Sequence, residues 1–115
     1  MSEILSQEQI QTKADELSAK FGNTVTPIVF NISETDQVIG YCQEPEYDVL
    51  MYATDCYLSK EISKASEATL KNCLIVEESD PRILSNDRKN ARIKASFTSA
   101  VTKLIIPFVD DYKKK

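Results

Sequence analysis

Histidine and tryptophan are absent from the 115 residues, and glycine occurs only twice, at Gly22 and Gly40. Without histidine the chain lacks the commonest general base, the commonest metal ligand and any Ser-His or Cys-His nucleophile pair. Isolated glycines do not make a phosphate-cradling loop. The three cysteines, Cys42, Cys56 and Cys73, are odd in number and widely spaced. That fits neither a disulfide framework nor a paired metal site. Each sits among apolar residues and reads as a reduced thiol in a core, which points to a cytosolic setting. Long apolar runs are missing too, and mean hydropathy is −0.32, so no membrane-spanning helix is expected.

What is present is an acidic excess: 18 Asp and Glu against 14 Lys and Arg, a net charge of −4. A nucleic-acid binder draws most of its affinity from a basic face, so nucleic acid is not an expected partner. The acids scatter. Glu44 and Glu46 flank Pro45, Glu77 adjoins Glu78, and Asp110 adjoins Asp111. None shows the alternation of a calcium loop, and acids at helix starts are ordinary dipole partners. Among the lysines, only Lys71 has apolar sequence neighbours. The sequence therefore predicts no catalytic residue, no metal ligand, no cofactor and no enzyme. The opening MSEILSQEQ is too polar for a secretory signal. One domain, 1–115, fits this length, with 1–6 and 109–115 as flexible ends.

The expected fold class is α+β: an N-terminal helix, a two-stranded antiparallel hairpin and about three further helices. Ser6 followed by Gln9 matches a capping box, opening a helix from Gln7 to Phe21 that Gly22 or Asn23 closes. Its stripe is Ile10, Ala14, Leu17 and Phe21. Val25–Ile32 reads as a strand, with Pro27 restricting it to a sheet edge or a strand start. Ser33–Gln37 reads as a turn and Val38–Gln43 as the return strand. Pro45 opens a helix over Glu46–Leu58. Ser59–Ser63 is a polar join, and Ala65–Val76 is a short helix dense in apolar residues, read as the centre of the core. Asp80-Pro81 marks a turn or helix start, and Arg82–Asn86 a loop. The longest helix is expected at Asp87–Ile106, carrying Ile93, Phe97, Ala100, Val101, Leu104 and Phe108 on one stripe and ending near Pro107.

Two groups of residues are candidates for binding another protein. Tyr47, Tyr52 and Tyr57 widen the apolar surface of the second predicted helix, and tyrosine is enriched at interfaces. Arg88 and Arg92, with Lys89 and Lys94, concentrate positive charge at the start of the last helix. Each group also has a plain structural reading, as a core helix with surface hydroxyls and as a solvated basic face.

The order of elements, with Gly40-Tyr41 through Pro45, Glu67-Ala68, Leu70–Ile75 and Asn86-Asp87, resembles the small tail assembly chaperones of tailed bacteriophages. The likeness is greatest to forms from phages and prophages of gut Bacteroides relatives, and it covers about Thr24–Ile106. The chain departs from that pattern at Gln43 and Glu44, where the family tends to carry a basic residue. The resemblance implies a non-enzymatic phage protein in the host cytoplasm. Such a protein coats the tape-measure protein, recruits tail-tube subunits, and forms a homo-oligomer through its hairpin edge. A structural virion or head–tail accessory protein, and an acidic inhibitor of a host protein, are the alternatives.

Overall fold

A computed structural model describes residues 4–104 of the chain. Helix α1 (Gln7–Phe21) leads into a hairpin of β1 (Val25–Ser33) and β2 (Asp36–Gln43). Helices α2 (Tyr47–Leu58) and α3 (Ile62–Cys73) follow, then three 3-10 turns, α4 (Ala91–Ala100) and a last 3-10 turn, Val101–Leu104. The expected α+β class and the order helix, hairpin, helices are observed.

Helix α1 forms for local reasons. The Gln9 N–H donates to Ser6 Oγ at 3.1 Å, and the Ser6 N–H donates to Gln9 Oε1 at 2.8 Å, closing the capping box. Gly22 ends the helix at φ 75°, where a side chain would be strained. Leu5, placed by its sequence in the flexible end, is instead tied to the hairpin: its N–H donates to Gln37 Oε1 at 3.0 Å.

The hairpin is covered on both faces. Val25, Val29, Ile39 and Tyr41 pack with Ile10, Ala14 and Leu17 of α1. On the other face Ile28, Phe30, Val38 and Cys42 pack with Leu70 and Cys73 of α3 and Ile93 and Phe97 of α4. A ribbon buried on both sides needs apolar residues at successive positions. That is why Val25–Ile32 reads as a nearly continuous apolar run rather than an alternation.

The outer side of β2 is also occupied. Leu74 forms an antiparallel bridge with Cys42, and the Ile75 N–H donates to the Tyr41 carbonyl at 2.8 Å. The Asp80 N–H donates to the Ile39 carbonyl at 3.0 Å, and the Tyr41 N–H donates to Ser79 Oγ at 3.0 Å. The helix expected at Ala65–Val76 is thus displaced: α3 starts at Ile62 and stops at Cys73, because Leu74 goes extended to serve β2. Its core role stands, with Ala65, Thr69, Leu70 and Cys73 all buried. Lys71 is exposed and paired with Glu67 at 3.0 Å, so its apolar sequence neighbours do not surround it in space.

The last helix is shorter than its sequence pattern. Arg88–Asn90 is a 3-10 turn, α4 holds 10 residues, and α1 with 15 is the longest helix among the described residues. No side chain caps α4, and the Asn90 side-chain amide donates back to Ser85 Oγ at 3.0 Å. Arg88, Lys89 and Arg92 also oppose the helix dipole at this end. Ile106, Pro107 and Phe108 lie outside the described residues.

Arg82 ties the hairpin tip to the Asp80 turn. Its Nη1 and Nη2 donate to the two Asp36 carboxylate oxygens at 2.9 and 3.0 Å, and Nη2 also donates to Asp80 Oδ2 at 2.8 Å. These hydrogen bonds hold both carboxyl groups below their ordinary value of 3.8. A depressed folded value means the stabilisation is complete above that ordinary value and is lost as pH falls through the folded values beneath it. Arg82→Leu is expected to lower the thermal midpoint at neutral pH and to lower it less at acid pH, as the two carboxylates become protonated. Equal losses at both pH values, followed by circular dichroism, would show that the clamp acts through packing alone.

Candidate functional site

Helix α2 carries the largest departure from ordinary packing. Its turn into α3 is tight: Lys60 sits at φ 66°, and the Glu61 N–H donates to the Cys56 carbonyl at 2.7 Å. This folds α2 back along α3 as a helical hairpin. The residues it buries are small, namely Ala53, Thr54 and Cys56, and Ala53 and Cys56 pack with Ala65. The large ones stay out. Tyr47 is 74% exposed, Tyr52 52% and Leu58 38%, and Ile62 at the start of α3 adds 47%. Val49, Leu50 and Met51 are only half-buried. Large apolar side chains thus lie on the outside of a helix whose small residues form the seam.

The predicted tyrosines do not form one row. A spacing of five residues rotates each by about 140° from the last around a helix. Tyr47 and Tyr52 are exposed, whereas Tyr57 is half-buried against the small-residue seam. The neighbouring Cys56 side chain pushes the Tyr52 phenol up from its ordinary value. Arg88 and Arg92 are both exposed, at the start of α4. Arg88 lines a groove of about 620 Å³ between α3 and α4, together with Glu67, Lys94 and several small residues. Both α2 and α4 pack on α3, and Ile62 lines the groove with Arg88, whereas none of the three tyrosines does.

The cysteines are all buried and unpaired. Burial pushes the Cys42 thiol up to about 12 and the Cys73 thiol up to about 11, so both stay protonated at neutral pH. A thiol that does not ionise is a poor nucleophile, and these two act as core hydrophobes. Tyr41 is 2% exposed and its hydroxyl has no hydrogen-bond partner among the described residues. Its aromatic face supports Lys13, whose Nζ lies 5.3 Å from the ring centre and pairs with Glu78 at 3.2 Å. No helix among the described residues is long and apolar enough to cross a membrane.

No protein-family model, curated protein or solved structure matches the chain.

Sequence reasoning missed Ile62, which the polar residues around it assigned to a join. Its neighbours Ser59, Lys60, Ser63 and Lys64 hide a single apolar residue whose role depends on α2 folding back beside it. The half-exposed Val49, Leu50 and Met51 look in sequence like core, because apolar periodicity records amphipathic character and not which neighbour arrives.

Proposed function

We propose that the chain is a non-enzymatic assembly protein of a tailed phage that holds a tape-measure or tail-tube protein through the outer face of α2. The observation that carries the reading is the inverted packing of that helix, with Tyr47, Tyr52 and Leu58 outside and Ala53 and Cys56 inside. The resemblance in element order supplies the identity of the partner. An amphipathic segment of the tape-measure protein, laid against this face, would cover apolar surface that the described residues leave open. Aromatic side chains give such a contact area at a small entropic cost, since each has two side-chain torsions.

Co-expression with the phage tape-measure protein is the direct test. Tyr47→Glu and Tyr52→Glu together are expected to weaken capture by at least about tenfold while leaving the circular dichroism spectrum unchanged. Undiminished capture by that double variant would remove α2 as the contact. Mass spectrometry of purified particles separates the related classes: an assembly factor is absent from the finished tail, and a structural virion component is retained.

A further inference from the structure

On β2, Ile39 and Tyr41 turn their backbone groups outward, to Asp80 and to Ile75 and Ser79. Their cross-strand partners are Val29 and Pro27, and Val25 and Asn31 share that phase. Opposed residues of an antiparallel ladder either bond one another or both turn outward, so Val29 and Asn31 turn away from β2. The Val25 N–H, in the same phase, donates to Ser18 Oγ at 2.9 Å. Pro27 has no N–H. The Val29 and Asn31 N–H groups thus point out of the sheet at the β1 edge, with no partner among the described residues.

The described chain ends beside this edge. Lys103 and Leu104 line a groove of about 280 Å³ together with Pro27, Ile28, Val29 and Phe30. The backbone has already left the α-helix there, since Val101–Leu104 is a 3-10 turn. Residues 105–109 come next and read IIPFV. β-branched and aromatic residues favour a strand, and Pro107 pushes the residue before it, Ile106, toward an extended conformation. A strand of that length spans about 13 Å, which matches β1 from Pro27 to Asn31. Ile4 also lies near β1, in a groove with Pro27 and Val29. Residues 1–3 before it read MSE, which is short and poor in strand formers.

We propose that residues 105–109 of this same chain occupy the β1 edge as a third strand of the sheet. Pro107 fixes the phase. It has no N–H, so it takes the outward position, where no donor is needed. Ile106 and Phe108 then turn their backbone groups to β1, and their carbonyls receive the Val29 and Asn31 N–H groups. This phase is the same for a parallel and an antiparallel strand, because outward and inward residues alternate in both. The sheet then ends on a strand whose free side carries a proline, a usual protection against further pairing. The inference uses neither α2 nor its partner, so it stands apart from the function proposed above.

The test is nuclear magnetic resonance of the full chain at two protein concentrations, reading amide hydrogen exchange and backbone nuclear Overhauser contacts. The expected result is protection of the Val29 and Asn31 amides that does not change with concentration, with contacts from both residues to Ile106 and Phe108. Ile106→Pro and Phe108→Pro each remove an inward N–H and should speed exchange at Val29 and Asn31 by about tenfold. Val38, opposite Phe30 inside the hairpin, should stay protected in both variants, showing that the hairpin remains folded. Pro107→Ala adds an N–H on the free side only and should leave both amides unchanged. Fast exchange at Val29 and Asn31 in the unaltered chain overturns the proposal, as does the absence of contacts between β1 and residues 105–109. Protection that appears only as concentration rises overturns it too, and gives the edge to a second copy. Protection that survives both proline substitutions with Val38 still protected gives the edge to another occupant, residues 1–3 among them, and overturns it as well.

Discussion

Phe97→Ala is expected to lower the unfolding free energy by about 3–5 kcal/mol, the range for removing a fully buried aromatic ring. Phe97 is 0% exposed and belongs to the cluster that joins α4 to the hairpin and to α3. Its ring meets Phe30 edge-on, with centroids 5.1 Å apart at an interplanar angle of 68°. Such aromatic pairs add about 0.5–1.5 kcal/mol beyond the area they bury. Domains of this kind are stable by only about 5–15 kcal/mol, so the variant should lose a large share of that margin. Urea denaturation checks this through a lower midpoint at unchanged slope. A loss below about 1 kcal/mol would mean that the site collapses around the gap and that α4 is not a principal support of the hairpin.

Gly40→Ala is expected to destabilise by about 1–3 kcal/mol, although alanine is otherwise the milder residue in a strand. The cause is space and not backbone angle, since Gly22 is the glycine with positive φ. A Cβ at Gly40 would lie 2.8 Å from Phe97 Cε1, 2.9 Å from Ile83 Cδ1 and 3.2 Å from Leu74 Cδ1. Three elements thus meet the bare backbone of β2 at one point: α4, the Pro81–Leu84 turn and the Leu74 bridge. The two substitutions should couple. In a Phe97→Ala background the nearest obstacle is gone, so Gly40→Ala should cost clearly less than it does alone. Strict additivity in the double-mutant cycle would count against direct contact between ring and strand.

What could be read from the residues was local. The capping box, the Gly22 stop, the two strands and the burial of the cysteines each depend on side chains a few positions apart, and each is observed. The boundaries of α3 and α4 were not legible in the same way. Leu74 has helical neighbours, yet it leaves the helix, which lets the Ile75 N–H reach the outward carbonyl of Tyr41, remote in sequence. The periodic stripe of the last helix is genuine, and Ile93, Phe97 and Val101 are all buried. Its first turn is nonetheless 3-10, with the Asn90 N–H bonded to the Asp87 carbonyl three residues back.

The tertiary structure alone set which apolar residues remain outside. Tyr47 and Tyr57 have similar sequence surroundings, but one faces outward and the other lies against Ala65, since α2 rests on a single helix. Likewise Pro27 in sequence restricts β1 to a sheet edge or a strand start, while only the Leu74–Asp80 segment determines that β1, and not β2, has the open side among the described residues. Hydrogen bonds and turns within a few residues are written in composition and spacing. The choice among distant neighbours rests on the total burial that the whole chain achieves, and no short stretch carries that quantity.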